Sequence, residues 1–182
     1  MGTDKALLPW QGDTLLRRTL AIARAVCGQA FICGARSLYG GFGEVLEDAE
    51  PGRGPLSGIQ AALHATQTEL NLILSVDLPL MQADFLAWLL QRARRSQQLI
   101  LVPQMEAQLQ PLCAVYHRET REVVDEALAR GNFKVTQLFR DAATRIVEEK
   151  EIRAAGFSAE IFTNVNTPEE YASLYPGEMG QA

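Results

Sequence analysis

Apolar positions along the chain follow two spacings, and each spacing predicts a different element. Recurrence every three or four residues predicts amphipathic helices over 14–27, 82–95, 118–130 and 134–140. Short continuous apolar runs predict strands at 30–33, 45–46, 72–76, 99–102, 112–116 and 144–147. We further expect a helix capped by Ser57, an extended piece at 162–165 and a helix at 168–174 capped by Thr167. Strands and helices interleave without a linker or repeat, which predicts one α/β domain with a mostly parallel central sheet.

Composition narrows the class of protein. The 182 residues are 47% hydrophobic with a net charge of -5, which fits a single domain over residues 1–176 and a disordered tail at 177–182. No block of Lys and Arg suggests a nucleic-acid surface, and no apolar stretch or leader pattern suggests a membrane. The three cysteines lack metal-ligand spacing, so we expect a reducing cytoplasm.

One carboxylate stands out as the candidate for chemistry. The apolar run 72–76 ends abruptly in Asp77, followed by Leu78 and Pro79. In open parallel sheets ligands bind off the carboxyl ends of the strands, where Asp77 would project. A single carboxylate there suits Mg²⁺, which keeps its other positions for water and phosphate oxygens. The alternative is that Asp77 caps the next helix.

Three other stretches carry candidate binding groups. Near the start, a turn at Gly2 leads to Lys5, which can neutralise phosphate oxygens or simply be solvated. Residues 47–48 and the turn 51–58 lead into a helix N-terminus, which offers N–H groups to an anion or is only a stiff connection. Asn164 and Asn166 share one side of an extended segment, where they could hold a ligand or cap a helix.

These stretches together carry a family resemblance. The segments are MGTDKALLPWQG (1–12), PGRGPLSGIQAAL (51–63), SVDLPLM (75–81), QPLCAVYHR (110–118) and FTNVNTPEEY (162–171). In their order and spacing they resemble the molybdenum cofactor guanylyltransferases over nearly the whole chain. The resemblance implies a Rossmann-like three-layer nucleotidyltransferase fold. It also implies transfer of GMP from GTP to molybdopterin carrying molybdenum, with release of pyrophosphate in the presence of Mg²⁺.

The resemblance assigns roles position by position. Lys5 matches a phosphate-contacting lysine and Asp77 the aspartate that holds magnesium and the nucleotide, so these two are the expected catalytic residues. Asn164 and Asn166 match amides on the cofactor side of the cleft. The remaining expected binding positions are Gly2, Asp48, Gly54, Pro55 and Leu56.

The chain also departs from the family pattern. The family usually opens with a buried strand and an LAGGxSxR loop before the MGxDK element, whereas this chain begins within that element. Without that strand, backbone groups in the middle of the sheet would be unpaired and nucleotide binding would suffer. Gly34 and Ala35 stand where the family often has an asparagine near the nucleotide.

Two alternatives therefore stay open beside the guanylyltransferase. One is a related nucleotidyltransferase that uses CTP or a sugar phosphate. The other is a catalytically silent homologue that binds nucleotide or pterin. Contacts with a molybdoenzyme or a helper protein are a further open expectation.

Overall fold

The computed structural model describes residues 4–47, 54–165, 170, 171 and 174. Its strands are β1 (Pro9–Trp10), β2 (Asp13–Thr14), β3 (Ile32–Cys33), β4 (Val45–Leu46), β5 (Leu70–Leu74), β6 (Ile100–Met105), β7 (Gln108–Leu109), β8 (Cys113–His117) and β9 (Thr144–Val147). Its helices are α1 (Leu15–Cys27), α2 (Arg36–Tyr39), α3 (Pro55–Ala65), α4 (Ala83–Arg94), α5 (Thr120–Ala129), α6 (Val135–Asp141) and α7 (Glu149–Ala154). Short 3-10 turns lie at Lys5–Leu7 and Ala159–Phe162.

The central sheet is mixed, so the prediction of a mostly parallel sheet is wrong for the described residues. Strand β8 lies between β5 and β6 and is antiparallel to both, while β9 is parallel to β6. Only residues 106–112 separate β6 from β8, too few for the crossover that a parallel pair needs. Strands β5 and β6, joined through α4, nevertheless run in the same direction because both oppose β8.

Helices cover both faces of this sheet. Leu101 of β6 and Val115 of β8 face a cluster that contains residues of α4 and α7. Their chain neighbours Ile100 and Ala114 face a second cluster built from α3, α5 and α6. Alternate residues of a strand point to opposite faces, so the two clusters lie on either side of one sheet. The expected three-layer α/β architecture is present in the described residues.

A cavity separates the central sheet from a second, two-stranded sheet. Strands β3 and β4 pair in parallel with each other. Between β3 and β5 lies a cavity of about 1150 Å³, lined also by residues of α1 and α3. Within the described part of the chain, β5 pairs only with β8, so its other edge faces this cavity. Among the described residues, β5 is therefore an edge strand of the central sheet.

Element boundaries agree with the sequence prediction at α1 and differ from it at two other places. The Thr14 side chain accepts a hydrogen bond from the Arg17 N–H at 3.2 Å, which begins α1 as expected. Helix α3, however, begins at Pro55 after Gly54, because proline is favoured in a first turn, and Ser57 is buried inside the helix. The extended piece expected at 162–165 is also wrong at its start, where the 3-10 turn ends at Phe162. The cap at Thr167 and the tail at 177–182 lie outside the described residues.

Candidate active site

Asp77 lies just beyond the carboxyl end of β5, after Ser75 and Val76. Its Oδ1 is buried and has no hydrogen-bond partner among the described residues. A buried carboxylate oxygen without a partner is unfavourable, and a bound cation would satisfy it. Helix α4 takes Gln82 as its N-cap, so the alternative that Asp77 caps this helix is wrong. A carboxylate oxygen at this position is the kind of ligand that a hard divalent cation prefers.

The segment that contains Asn164 lies against the Asp77 loop. The N–H of Val165 donates to the carbonyl oxygen of Asp77 at 2.9 Å. Val165 is fully buried and clusters with Trp10 and Leu15, which fixes the segment in place. Asn164 is exposed beside it. The structure therefore brings Asn164 close to the carboxyl end of β5.

Lys5 begins a 3-10 turn that Asp4 caps. The Oδ1 atom of Asp4 accepts from the Ala6 N–H at 3.0 Å, and its Oδ2 accepts from the Tyr39 hydroxyl at 2.5 Å. Ala6 belongs to a buried cluster against which Val76 also packs. Since Lys5 adjoins Ala6 and Asp77 adjoins Val76, the two expected catalytic residues come from segments that pack together.

The start of α3 completes the described part of the site. Gly54 and Pro55 line the cavity that Ala6 and Val76 also line. Gly54 has φ +78°, a conformation that residues with a side chain rarely adopt. Leu56 is completely buried in the core on α3, so its side chain does not face this cavity. Three other expected binding positions, Gly2, Asp48 and Asn166, lie outside the described residues.

Sequence reasoning missed the residues that support these segments. Tyr39 holds Asp4 across a long sequence separation, and the Arg18 side chain reaches carbonyls beyond Asp77. Burial, followed by the hydrogen bond and charge of Asp4, raises the pKa of Tyr39 to about 12. Burial lowers the pKa of Arg18. Helical periodicity marks Arg18 only as polar, so no pattern in the sequence indicated its contact.

The described residues contain no group of three or more His, Cys, Asp and Glu side chains that could hold a metal. A cation at Asp77 would thus take much of its coordination from water and from phosphate oxygens, an arrangement typical of Mg²⁺. In the same part of the chain, no helix has the length and apolar character to cross a membrane.

Comparison with known proteins identifies the family. Residues 1–148 match the family model described as a MobA-like NTP transferase domain. The chain belongs to the MobA-like NTP transferase family. This match covers most of the chain, including the segments of Lys5, Gly54 and Asp77.

Relatives and a solved structure agree with this family. The chain is 29% identical to a "Probable molybdenum cofactor guanylyltransferase" of Clostridium perfringens, over 94% of this chain and 87% of the relative. It is also 29% identical to a molybdenum cofactor guanylyltransferase of Desulfosudis oleivorans, over 93% of this chain and 84% of the relative. The crystal structure of molybdopterin-guanine dinucleotide biosynthesis protein A from Archaeoglobus fulgidus superposes with a TM-score of 0.82 at 20% identity, covering 94% and 89% of the two chains. That structural likeness confirms the nucleotidyltransferase-type α/β fold.

Proposed function

We propose that this member of the MobA-like family is a molybdenum cofactor guanylyltransferase. It joins the GMP part of GTP to molybdopterin carrying molybdenum and releases pyrophosphate. The observation that carries the proposal is the buried, unpartnered Oδ1 of Asp77 at the carboxyl end of β5. Relatives named for this activity align over more than nine-tenths of the chain.

The reaction needs positioning and charge compensation rather than a protein nucleophile. A phosphate oxygen of molybdopterin forms a bond to the α-phosphorus of GTP, and the bond from that phosphorus to the pyrophosphate oxygen breaks. Negative charge develops on the departing pyrophosphate. Holding the two substrates in line therefore supplies a large part of the rate enhancement.

Each described residue of the site has a role in this proposal. Asp77 holds Mg²⁺, which when bound neutralises phosphate charge. Lys5 lies toward the triphosphate and offsets its negative charge. The N-terminus of α3, which follows Gly54, presents backbone N–H groups to the nucleotide, although Pro55 at its first position has none. Asn164, on the segment that packs against the Asp77 loop, binds molybdopterin.

Three residues outside the described ranges belong to the same proposal. In this proposal Gly2 and Lys5 both bind phosphate, Asp48 binds the nucleotide, and Asn166 acts with Asn164 in binding molybdopterin. A cytoplasmic location is also part of the proposal, and it is supported by the three free cysteines, which suit a reducing compartment.

The choice of nucleotide is tested by pyrophosphate release with GTP and with CTP, each with molybdenum-molybdopterin as acceptor. We expect release with GTP and at least about tenfold less with CTP, since a site that reads the base separates two nucleotides by about 1.4 kcal/mol or more. Equal or greater release with CTP would support the cytidylyl-transferring alternative. Binding of GTP without release would support the silent binding protein.

A further inference from the structure

The side chain of Arg18 reaches from α1 to the loop that carries Asp77. Its Nε donates to the carbonyl oxygen of Pro79 at 2.6 Å, and a terminal guanidinium nitrogen donates to that of Met81 at 3.2 Å. We propose that Arg18 is a positioning residue that fixes the orientation of the Asp77 carboxylate. This inference rests on the proposed function, because it concerns the metal ligand of that reaction.

The loop is held on both sides of Asp77. Before it, the Ser75 N–H donates to the Leu112 carbonyl at 2.6 Å. At Asp77 itself, the main-chain carbonyl accepts from Val165. Beyond Asp77, the Arg18 guanidinium donates to the carbonyl oxygens of Pro79 and Met81. Loss of the Arg18 contacts leaves the downstream side of the loop without its side-chain anchor, and a displacement of about 1 Å at a reacting group can cost about a hundredfold in rate.

The chemistry of the contact suits arginine in particular. A planar guanidinium offers several donors in a fixed fork, so it can bind two carbonyls of one loop at a set angle. A lysine ammonium at this position is a single point of attachment on a flexible stem. Among the described residues, no carboxylate forms an ion pair with Arg18, so its partners in the structure are these two neutral carbonyls.

The neighbouring arginine provides a matched control. Arg17 lies on the same helix, where it forms an exposed ion pair with Asp13 at 3.5 Å and lies 5.1 Å from the ring of Phe42. Arg17→Gln removes the same charge from α1 as Arg18→Gln does. It does so without removing a hydrogen bond from the Asp77 loop.

The experiment compares the full chain with its Arg18→Gln, Arg18→Lys and Arg17→Gln variants. Hydrogen exchange reports the mobility of residues 75–82, and electron paramagnetic resonance reports Mn²⁺ binding in the presence of GTP. For Arg18→Gln we expect exchange in the loop to be about tenfold faster, because a local anchor is lost. We expect its Mn²⁺ dissociation constant to rise about tenfold, with a smaller change in Arg18→Lys. Arg17→Gln should match the wild type.

Two results would separate failure of this inference from failure of the function. If Arg18→Gln lowers the Tm but leaves loop exchange and Mn²⁺ binding equal to those of Arg17→Gln, Arg18 only stabilises the fold and the inference is wrong. Should Arg18→Gln not fold, Arg18→Lys decides by the same two readouts. If the wild-type chain itself binds no Mn²⁺ with GTP, the proposed function fails before any Arg18 variant is compared.

Discussion

The N–H of Val165 donates a hydrogen bond to the carbonyl oxygen of Asp77 at 2.9 Å. This contact ties the segment near the end of the described chain to the loop after β5. Because the donor is a main-chain group, any residue except proline can supply it at this position. The cluster of Val165 with Trp10 and Leu15 holds the donor in place.

Two substitutions at Val165 separate the hydrogen bond from the packing. Val165→Ala shortens a fully buried side chain and should lower the free energy of unfolding by about 2 kcal/mol, while keeping the N–H. Val165→Pro also removes the donor, so we expect weaker Mn²⁺ binding with GTP in this variant alone. Chemical unfolding and Mn²⁺ titration measure the two effects. Equal Mn²⁺ affinity in both variants would show that the hydrogen bond does not hold Asp77.

Burial of the Tyr39 side chain, followed by its hydrogen bond to Asp4, predicts a pH-dependent contribution to stability. Because the pKa of Tyr39 is raised to about 12 in the folded chain, its contribution is complete below its unfolded pKa, near 10, and is lost as the pH rises toward 12. Tyr39→Phe should cost about 1 kcal/mol at neutral pH. The difference between the two proteins should shrink between about pH 10 and 12. Urea unfolding across this range measures it, and a constant difference would contradict the raised pKa of Tyr39.

The cavity between β3 and β5 predicts that the fold can accept one more strand. The backbone groups of Leu70, Leu72 and Leu74 point away from β8, since the alternate residues pair with that strand. A chain extended before Met1 by a short apolar strand should gain more than about 2 kcal/mol in unfolding free energy from new hydrogen bonds and buried side chains. A matched extension with proline at alternate positions cannot pair and is the control. Equal stability of the two extended chains would show that the cavity does not take a strand.

The sequence predicted the α/β order and the position of Asp77 because both depend on local patterns. Apolar periodicity located α1, β9 and most other elements to within a few residues. It did not reveal that β8 runs antiparallel to β5 and β6, because that direction depends on the short connection after the β6–β7 hairpin. Nor could it show that Tyr39 supports Asp4 or that Arg18 holds the loop after Asp77, because those contacts join residues far apart in the chain. Leu56 was expected to bind ligand, yet its apolar side chain is buried in the core.

The β6–β7 hairpin predicts a stabilising substitution in its turn. Its two turn residues, Glu106 and Ala107, have φ of +49° and +62°, which is unfavourable for residues with a Cβ. Ala107→Gly should therefore raise the unfolding free energy by about 0.5 to 1 kcal/mol. Ala87→Gly, in the interior of α4, is the control and should lower it by about 1 kcal/mol. Thermal unfolding checks both, and a decrease for Ala107→Gly would contradict the assigned turn.

Asp77 is the residue on which the proposed nucleotidyl transfer depends most. The most direct measurement is Mg²⁺-dependent pyrophosphate release from GTP with molybdenum-molybdopterin as acceptor, in wild type, Asp77→Asn, Lys5→Met and Asp84→Asn. Asp84, an exposed carboxylate in the first turn of α4, is the matched control. We expect Asp77→Asn to lose at least about a hundredfold in rate, Lys5→Met to lose less, and Asp84→Asn to match wild type. Turnover that persists unchanged in Asp77→Asn would show that Asp77 does not serve nucleotidyl transfer.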